Sequence, residues 1–297
     1  MEQRHNDIRD ELKRRPVGRR GLLRGFVVTA AAAGVGQSLL GRAAFAAAPA
    51  VTSPMTSVND PRIEIKTVAI PGPAANLSGY LVKPTHPELV TGGKPLRGKI
   101  SAVVLIGEDR GLTDHIKDLT RRFGTEGFYC LGLDYLSPAG GTPADGEVGF
   151  AMAAKQKPED VVAYARQAIA YLKTLPDVGK IGVVGYGKGG ARANELLLAE
   201  PGISAATVYY ASSPDLTKLA QLHTPLQMHY AGTDERHLLE SPKVEAALKK
   251  AGKAYQSNIY SYAKFGFTDD SNLAVYDQVY AELAWTRTVA WLRKYLG

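Results

Sequence analysis

The sequence predicts an α/β fold in which a mainly parallel sheet is covered by helices on both faces. Three observations carry this expectation. Apolar runs without alternation, such as Ile100–Ile106 and residues 181–184, read as strands buried on both sides. Amphipathic helical stretches separate these runs, so strand and helix alternate along most of the chain. Finally, the run 181–184 passes without a turn signal into the glycine cluster of residues 185–190 and then into the Ala/Glu/Leu-rich segment 191–199, which describes strand, sharp turn and helix.

In chain order, residues 1–46 read as an export leader. Arg19-Arg20 precedes a weakly apolar Ala/Gly-rich stretch, then Arg42 and the small-residue site Ala44-Phe45-Ala46. This segment resembles a twin-arginine signal peptide, which implies passage through the twin-arginine translocase and a periplasmic or secreted location. The stretch is too short and too rich in Ala and Gly for stable membrane insertion. A disordered basic tail is the alternative. Residues 47–61 form an Ala/Pro/Ser/Thr linker, and a single domain is expected over residues 62–297.

That domain begins with two alternating segments, residues 62–70 and 77–83, separated by Pro71-Gly72-Pro73 and expected to pair antiparallel at a sheet edge. A Pro/Gly-rich connection over 84–98 leads to strand Ile100–Ile106, helix Asp114–Thr125 and a strand over 129–133. Gly140-Gly141-Thr142-Pro143 marks a long loop. Beyond a helix over 159–175 and the glycine turn, strands are expected over 205–210, 226–230 and Tyr255–Tyr260. Helices are expected near 242–251 and from about 274 to 295. Ligands of such sheets bind beyond the carboxyl ends of the strands.

The chain has 297 residues, 45% hydrophobic and 22% charged, which suits one good-sized core. Its net charge of +7 belongs mostly to the leader, where nine Lys/Arg face four Asp/Glu. The remainder holds 27 basic and 25 acidic residues, so the body carries no electrostatic footprint for nucleic acid. Cys130 is the one cysteine, which excludes an intramolecular disulfide, and its apolar surroundings read as an inert core thiol. Zinc-type Cys/His spacing, a phosphate loop and repeats are absent from the sequence, so neither metal nor cofactor is expected. The glycines of 185–190 superficially match a dinucleotide motif. They fall late in the chain, without the acidic residue that motif requires.

Several segments together resemble the dienelactone hydrolase family of the α/β-hydrolase superfamily: residues 102–116, the run 133–138, the glycine turn, residues 228–236 and the stretch 281–288. The resemblance implies a nucleophile elbow at the glycine turn and a Cys, Asp and His triad in that chain order. It also implies a glutamate that meets the resting thiol. Asp234 falls at the acid position and Glu108 at the glutamate. The nucleophile position holds Gly187, and the family's His-Gly-Phe stands here as Phe265-Gly266-Phe267. Gly107 replaces a histidine common in related members.

Glycine has no side chain to attack a carbonyl, and phenylalanine can neither take nor return a proton. Losing either the nucleophile or the base cost about 10⁶ in turnover in a well-studied protease. The oxyanion hole uses backbone N–H groups, by resemblance those of Asp109 and Lys188, and survives such losses. The expected function is therefore non-hydrolytic binding of a small carbonyl or carboxylate compound. The alternative is an active ester or lactone hydrolase, or a lyase, using Glu108, Asp234 and His237; a third reading is a structural or partner-binding protein.

Other candidates are weighed against plainer roles. His237, three residues after Asp234 in what reads as a rim loop, is either an exposed histidine or a substitute base. Ser212 and Ser213 are turn or capping residues or alternative nucleophiles. Lys188 is a solvated side chain or a charged pocket wall. His115 reads as structural, and Tyr135 and Tyr186 as cleft-lining or packing aromatics.

Overall fold

Apolar side chains on alternate sides of each central strand are what give the sheet two covered faces. In β3 (Ile100–Ile106), Val103 and Leu105 join one core, while Ala102, Val104 and Ile106 join the other. Ile116, Leu119 and Phe123 of α1 (Asp114–Thr125) pack on the first face with Ala284, Trp291 and Leu292 of α6 (Gln278–Leu296). The second face is covered by α3 (Pro158–Thr174), α4 (Lys188–Ala199) and α5 (Glu235–Lys250) through residues such as Leu172, Leu196 and Leu248. Each fully buried side chain of this size contributes about 1.5–3 kcal/mol relative to exposure.

The computed structural model describes residues 55–85 and 98–297, all within one compact unit spanning Pro49–Gly297. The expected leader and most of the 84–98 connection lie outside the described residues. Eight strands form one sheet in the order β1-β2-β4-β3-β5-β6-β7-β8. Strands β1 (Ile63–Ile70) and β2 (Leu77–Pro84) pair antiparallel, as does β2 with β4 (Tyr129–Asp134). The pairs along β4, β3, β5 (Val178–Tyr186), β6 (Ala205–Tyr209), β7 (Leu226–Ala231) and β8 (Tyr255–Tyr260) are all parallel. Among the described residues, no helix is long and apolar enough to cross a membrane.

Three elements differ from expectation. Residues read as loop form α2 (Gly146–Ala154), whose N-cap Asp145 accepts from the N–H groups of Glu147 and Val148. Its two glycines hide it from propensity, yet a Cβ at Gly149 would lie 3.0 Å from the Arg110 carbonyl. Helix α5 starts at Glu235 and contains Pro242 rather than starting there. Proline leaves the Leu238 carbonyl without its helical donor, and the Ser241 hydroxyl donates to that oxygen at 3.1 Å. Helix α6 starts at Gln278, four residues late, because the Asp277 side chain accepts from Tyr280 N–H and fixes the N-cap there.

Candidate active site

The site begins where β5 ends. Gly187 is the N-cap of α4, with φ 52° and ψ −117°, a backbone conformation costly for any residue with a Cβ. Its N–H donates to the Tyr209 carbonyl at 3.0 Å, which ties the turn to β6. Gly189 permits a close approach: a Cβ there would stand 2.1 Å from the Gly107 carbonyl oxygen. The first turn of α4 therefore packs directly on the end of β3. A side chain at Gly187 would project between two groups, its Cβ 3.3 Å from Phe265 Cζ and 3.5 Å from Glu108 Cγ.

Glu108 follows β3 and lines the same cavity. The Tyr210 hydroxyl donates to its Oε1 at 2.7 Å, and the Tyr135 hydroxyl donates to its carbonyl oxygen at 2.7 Å. Tyr135 also accepts from Gly111 N–H at 3.0 Å, so one side chain braces the loop carrying Glu108 and Asp109. Burial pushes the Glu108 carboxyl above its ordinary range, opposed by the Tyr210 hydrogen bond and the nearby His115. Gly107 is confined as well, since a Cβ would meet the Gly111 carbonyl oxygen at 2.7 Å.

Asp234 stands at the N-cap position of α5, beyond the carboxyl end of β7, and its side chain is nearly buried and makes no capping hydrogen bond. His237 lies in the first turn of that helix, not in a rim loop, and is 8% exposed rather than solvated. The i,i+3 spacing puts its Nδ1 2.8 Å from Asp234 Oδ2. The contact is close but poorly aligned, and neither atom completes a hydrogen bond. Phe265, on the loop after β8, is 42% exposed at the cavity mouth. Its ring centroid lies 4.9 Å from that of Tyr210 and 6.4 Å from that of His237.

Together these groups line a cavity of about 570 Å³ that includes Gly187, Glu108, Asp109, Lys188, His237 and Phe265. Cationic side chains also reach it. Lys188 Nζ stands 4.0 Å from Asp109 Oδ2 and over the ring of Phe150, while Arg192 contacts Glu195 and keeps a buried Nε without a partner. Arg236 lines the rim, largely exposed. The wall thus carries Lys188, Arg192 and Arg236 as well as the carboxyl groups of Glu108 and Asp109.

Ser212 lines the cavity, whereas the Ser213 hydroxyl donates to Glu240 Oε2 at 2.6 Å. Tyr135 faces the cavity, but Tyr186 turns to the other face, where it stacks on Tyr209. Cys130 is fully buried, and burial raises its thiol well above the ordinary value. His115, Asp269 and Asp270 could offer ligand atoms to a metal. Asp270 holds His115 Nδ1 at 2.9 Å and also pairs with the Arg122 guanidinium. Tyr210 went unremarked in the sequence, although Tyr209-Tyr210 ends a strand beside the elbow. It is buried at φ 37° and delivers its hydroxyl to Glu108.

Residues 88–296 match the model of the dienelactone hydrolase family, over two thirds of the chain. The chain belongs to the dienelactone hydrolase family. A candidate carboxymethylenebutenolidase of Synechocystis is 25% identical over 246 residues, covering 76% of this chain and 95% of that protein. A provisionally assigned hydrolase fragment of Escherichia coli K12 is 36% identical over 92 residues, 30% of this chain and 71% of the fragment. Among solved structures, a candidate dienelactone hydrolase of Klebsiella pneumoniae superposes with a TM-score of 0.68 at 21% identity, covering 78% of this chain and 99% of that one. The dienelactone hydrolase of Anabaena variabilis gives 0.61 at 16% identity, with 80% and 100% covered. These superpositions establish the α/β-hydrolase fold.

Proposed function

We propose that this family member binds a small carbonyl compound bearing a carboxylate and does not hydrolyse it through a covalent intermediate. The observation that carries the reading is Gly187 at the elbow, where a nucleophile's Cβ would stand 3.3 Å from a phenyl carbon rather than beside an imidazole. An acyl-enzyme needs an attacking atom and a base to take its proton, and neither Gly187 nor Phe265 supplies one. The backbone N–H groups of Asp109 and Lys188 remain to polarise a carbonyl oxygen, and Lys188 and Arg192 to attract a carboxylate. The relatives' carboxymethylenebutenolidase names suggest unsaturated lactones or their open acids as the first compounds to try. Incubation with an activated aryl ester, followed by intact-protein mass spectrometry, tests the reading: an acyl adduct would refute it.

A second reading is acid–base chemistry at the same cavity. It is favoured by the 2.8 Å approach of His237 to Asp234 and by the burial that raises the Glu108 carboxyl above its ordinary range. Here His237 serves as base and Glu108 as acid on a bound substrate or water. We also propose export through the twin-arginine translocase to the periplasm or beyond, on the strength of Arg19-Arg20 and the small-residue site ending at Ala46.

A further inference from the structure

A second cavity, of about 350 Å³, opens between α1 and α6 on the face away from α4 and α5. Its size falls in the roughly 300–1,000 Å³ range of small-molecule sites. The walls are aromatic, with Tyr186, Tyr209 and Trp285 among them. Tyr186 and Tyr209 are stacked with centroids 4.4 Å apart and buried, so they form a rigid backing beneath the cavity, and the half-buried Trp285 presents the ring surface.

The polar groups of this cavity fall into two kinds. Arg122 is paired with Asp118 and Asp270, Glu126 with Arg293 and with the Trp285 indole N–H, and Glu282 accepts from Gln278 Nε2. An ionic ligand would have to break such pairs and leave a desolvated charge behind. The Tyr276 hydroxyl is different, because it is buried and has no hydrogen-bond partner among the described residues. A buried hydroxyl without a partner is unfavourable, and a ligand hydroxyl would relieve it.

We propose that this cavity is a second binding site, for a neutral aromatic compound of phenol size whose hydroxyl pairs with Tyr276 and whose ring lies against Trp285. The site does not depend on the function of the elbow cavity, but it is joined to it. Thr268 lines the second cavity, its Oγ1 lies 3.0 Å from the Tyr210 hydroxyl, and that hydroxyl reaches Glu108. An occupant touching Thr268 is thus two hydrogen bonds from the Glu108 carboxyl.

Isothermal titration calorimetry of the full chain with phenol, cyclohexanol and benzoate tests the proposal. Phenol should bind saturably at one site, cyclohexanol more weakly for want of a ring face, and benzoate not at all. Tyr276→Phe should weaken phenol about three- to tenfold, the worth of one neutral hydrogen bond. Ala281→Leu, which puts bulk into the cavity from α6, should abolish binding, while Lys188→Ala in the elbow cavity should leave it unchanged. Absence of saturable phenol binding, or equal binding by wild type, Tyr276→Phe and Ala281→Leu, overturns the proposal. Benzoate binding as tightly as phenol overturns its neutral character.

Discussion

His237 Nδ1 stands 2.8 Å from Asp234 Oδ2, one helical turn along α5, so a carboxylate–imidazole pair borders the cavity that His237 and Phe265 both line. Phe265 neighbours both His237 and Gly187, its ring centroid 6.4 Å from that of the imidazole and its Cζ 3.3 Å from where a Cβ at Gly187 would stand. This imidazole flanks a turn whose residue, Gly187, carries no side chain.

The elbow glycine should be cheaper than the residue it replaces. At φ 52°, a Cβ is strained, and at 3.3 Å from Phe265 Cζ it also crowds a neighbour. Gly187→Ser is expected to lower stability by about 1–3 kcal/mol, the usual range for such backbone strain. Urea denaturation of the variant and parent measures this directly, and equal stability would show that strain is not what glycine relieves.

Glu108 should give stability a definite pH dependence. Burial raises its folded value above the ordinary 4.5, so the native state keeps a proton that the unfolded chain releases. Its contribution is fully present below 4.5 and is lost as pH rises through the raised folded value. Glu108→Gln should remove that decline, and the difference between variant and parent in denaturation curves from acid to neutral pH measures it. Tyr210→Phe should act in the opposite sense. Losing the 2.7 Å hydrogen bond leaves Oε1 without its donor, raising the carboxyl further and costing about 1–3 kcal/mol. Carbon-13 NMR titration of the glutamate carboxyls reads the first effect.

How much of this was legible in the sequence depended on whether the signal was local. Asp114–Thr125 and Ile100–Ile106 were readable to the residue because amphipathic and continuous apolar periods announce them. That Glu108 and Asp234 lie just beyond strand ends was legible because each closely follows an apolar run. His237 was misread because its burial depends on α5 beginning at Glu235, and Pro242 pointed to a later start; the Ser241 hydroxyl that satisfies Leu238 cannot be seen in a linear pattern. Tyr210 was missed for a related reason. Its partner Glu108 is 102 positions away and meets it only when β3, β5 and β6 lie side by side.

Export makes its own prediction. Arg19→Lys together with Arg20→Lys keeps the charge of the leader and removes the arginine pair. If the twin-arginine translocase carries this protein, the double variant should remain in the cytoplasm as full-length precursor. Fractionation followed by immunoblotting checks this, and undiminished delivery of the double variant would exclude that route.

We propose that Gly187 and Phe265 leave this site without a nucleophile and a base. Turnover of an aryl ester and of a small unsaturated lactone should be measured for wild type, Gly187→Cys, Phe265→His, the two combined, and His237→Gln. Nucleophile and base act as a unit, so the wild type and both single variants should be inert, and the double variant, with Asp234 and Glu108 in place, should turn over at least one of the two substrates. Clear wild-type turnover that disappears in His237→Gln would contradict the account and establish His237 as a replacement base.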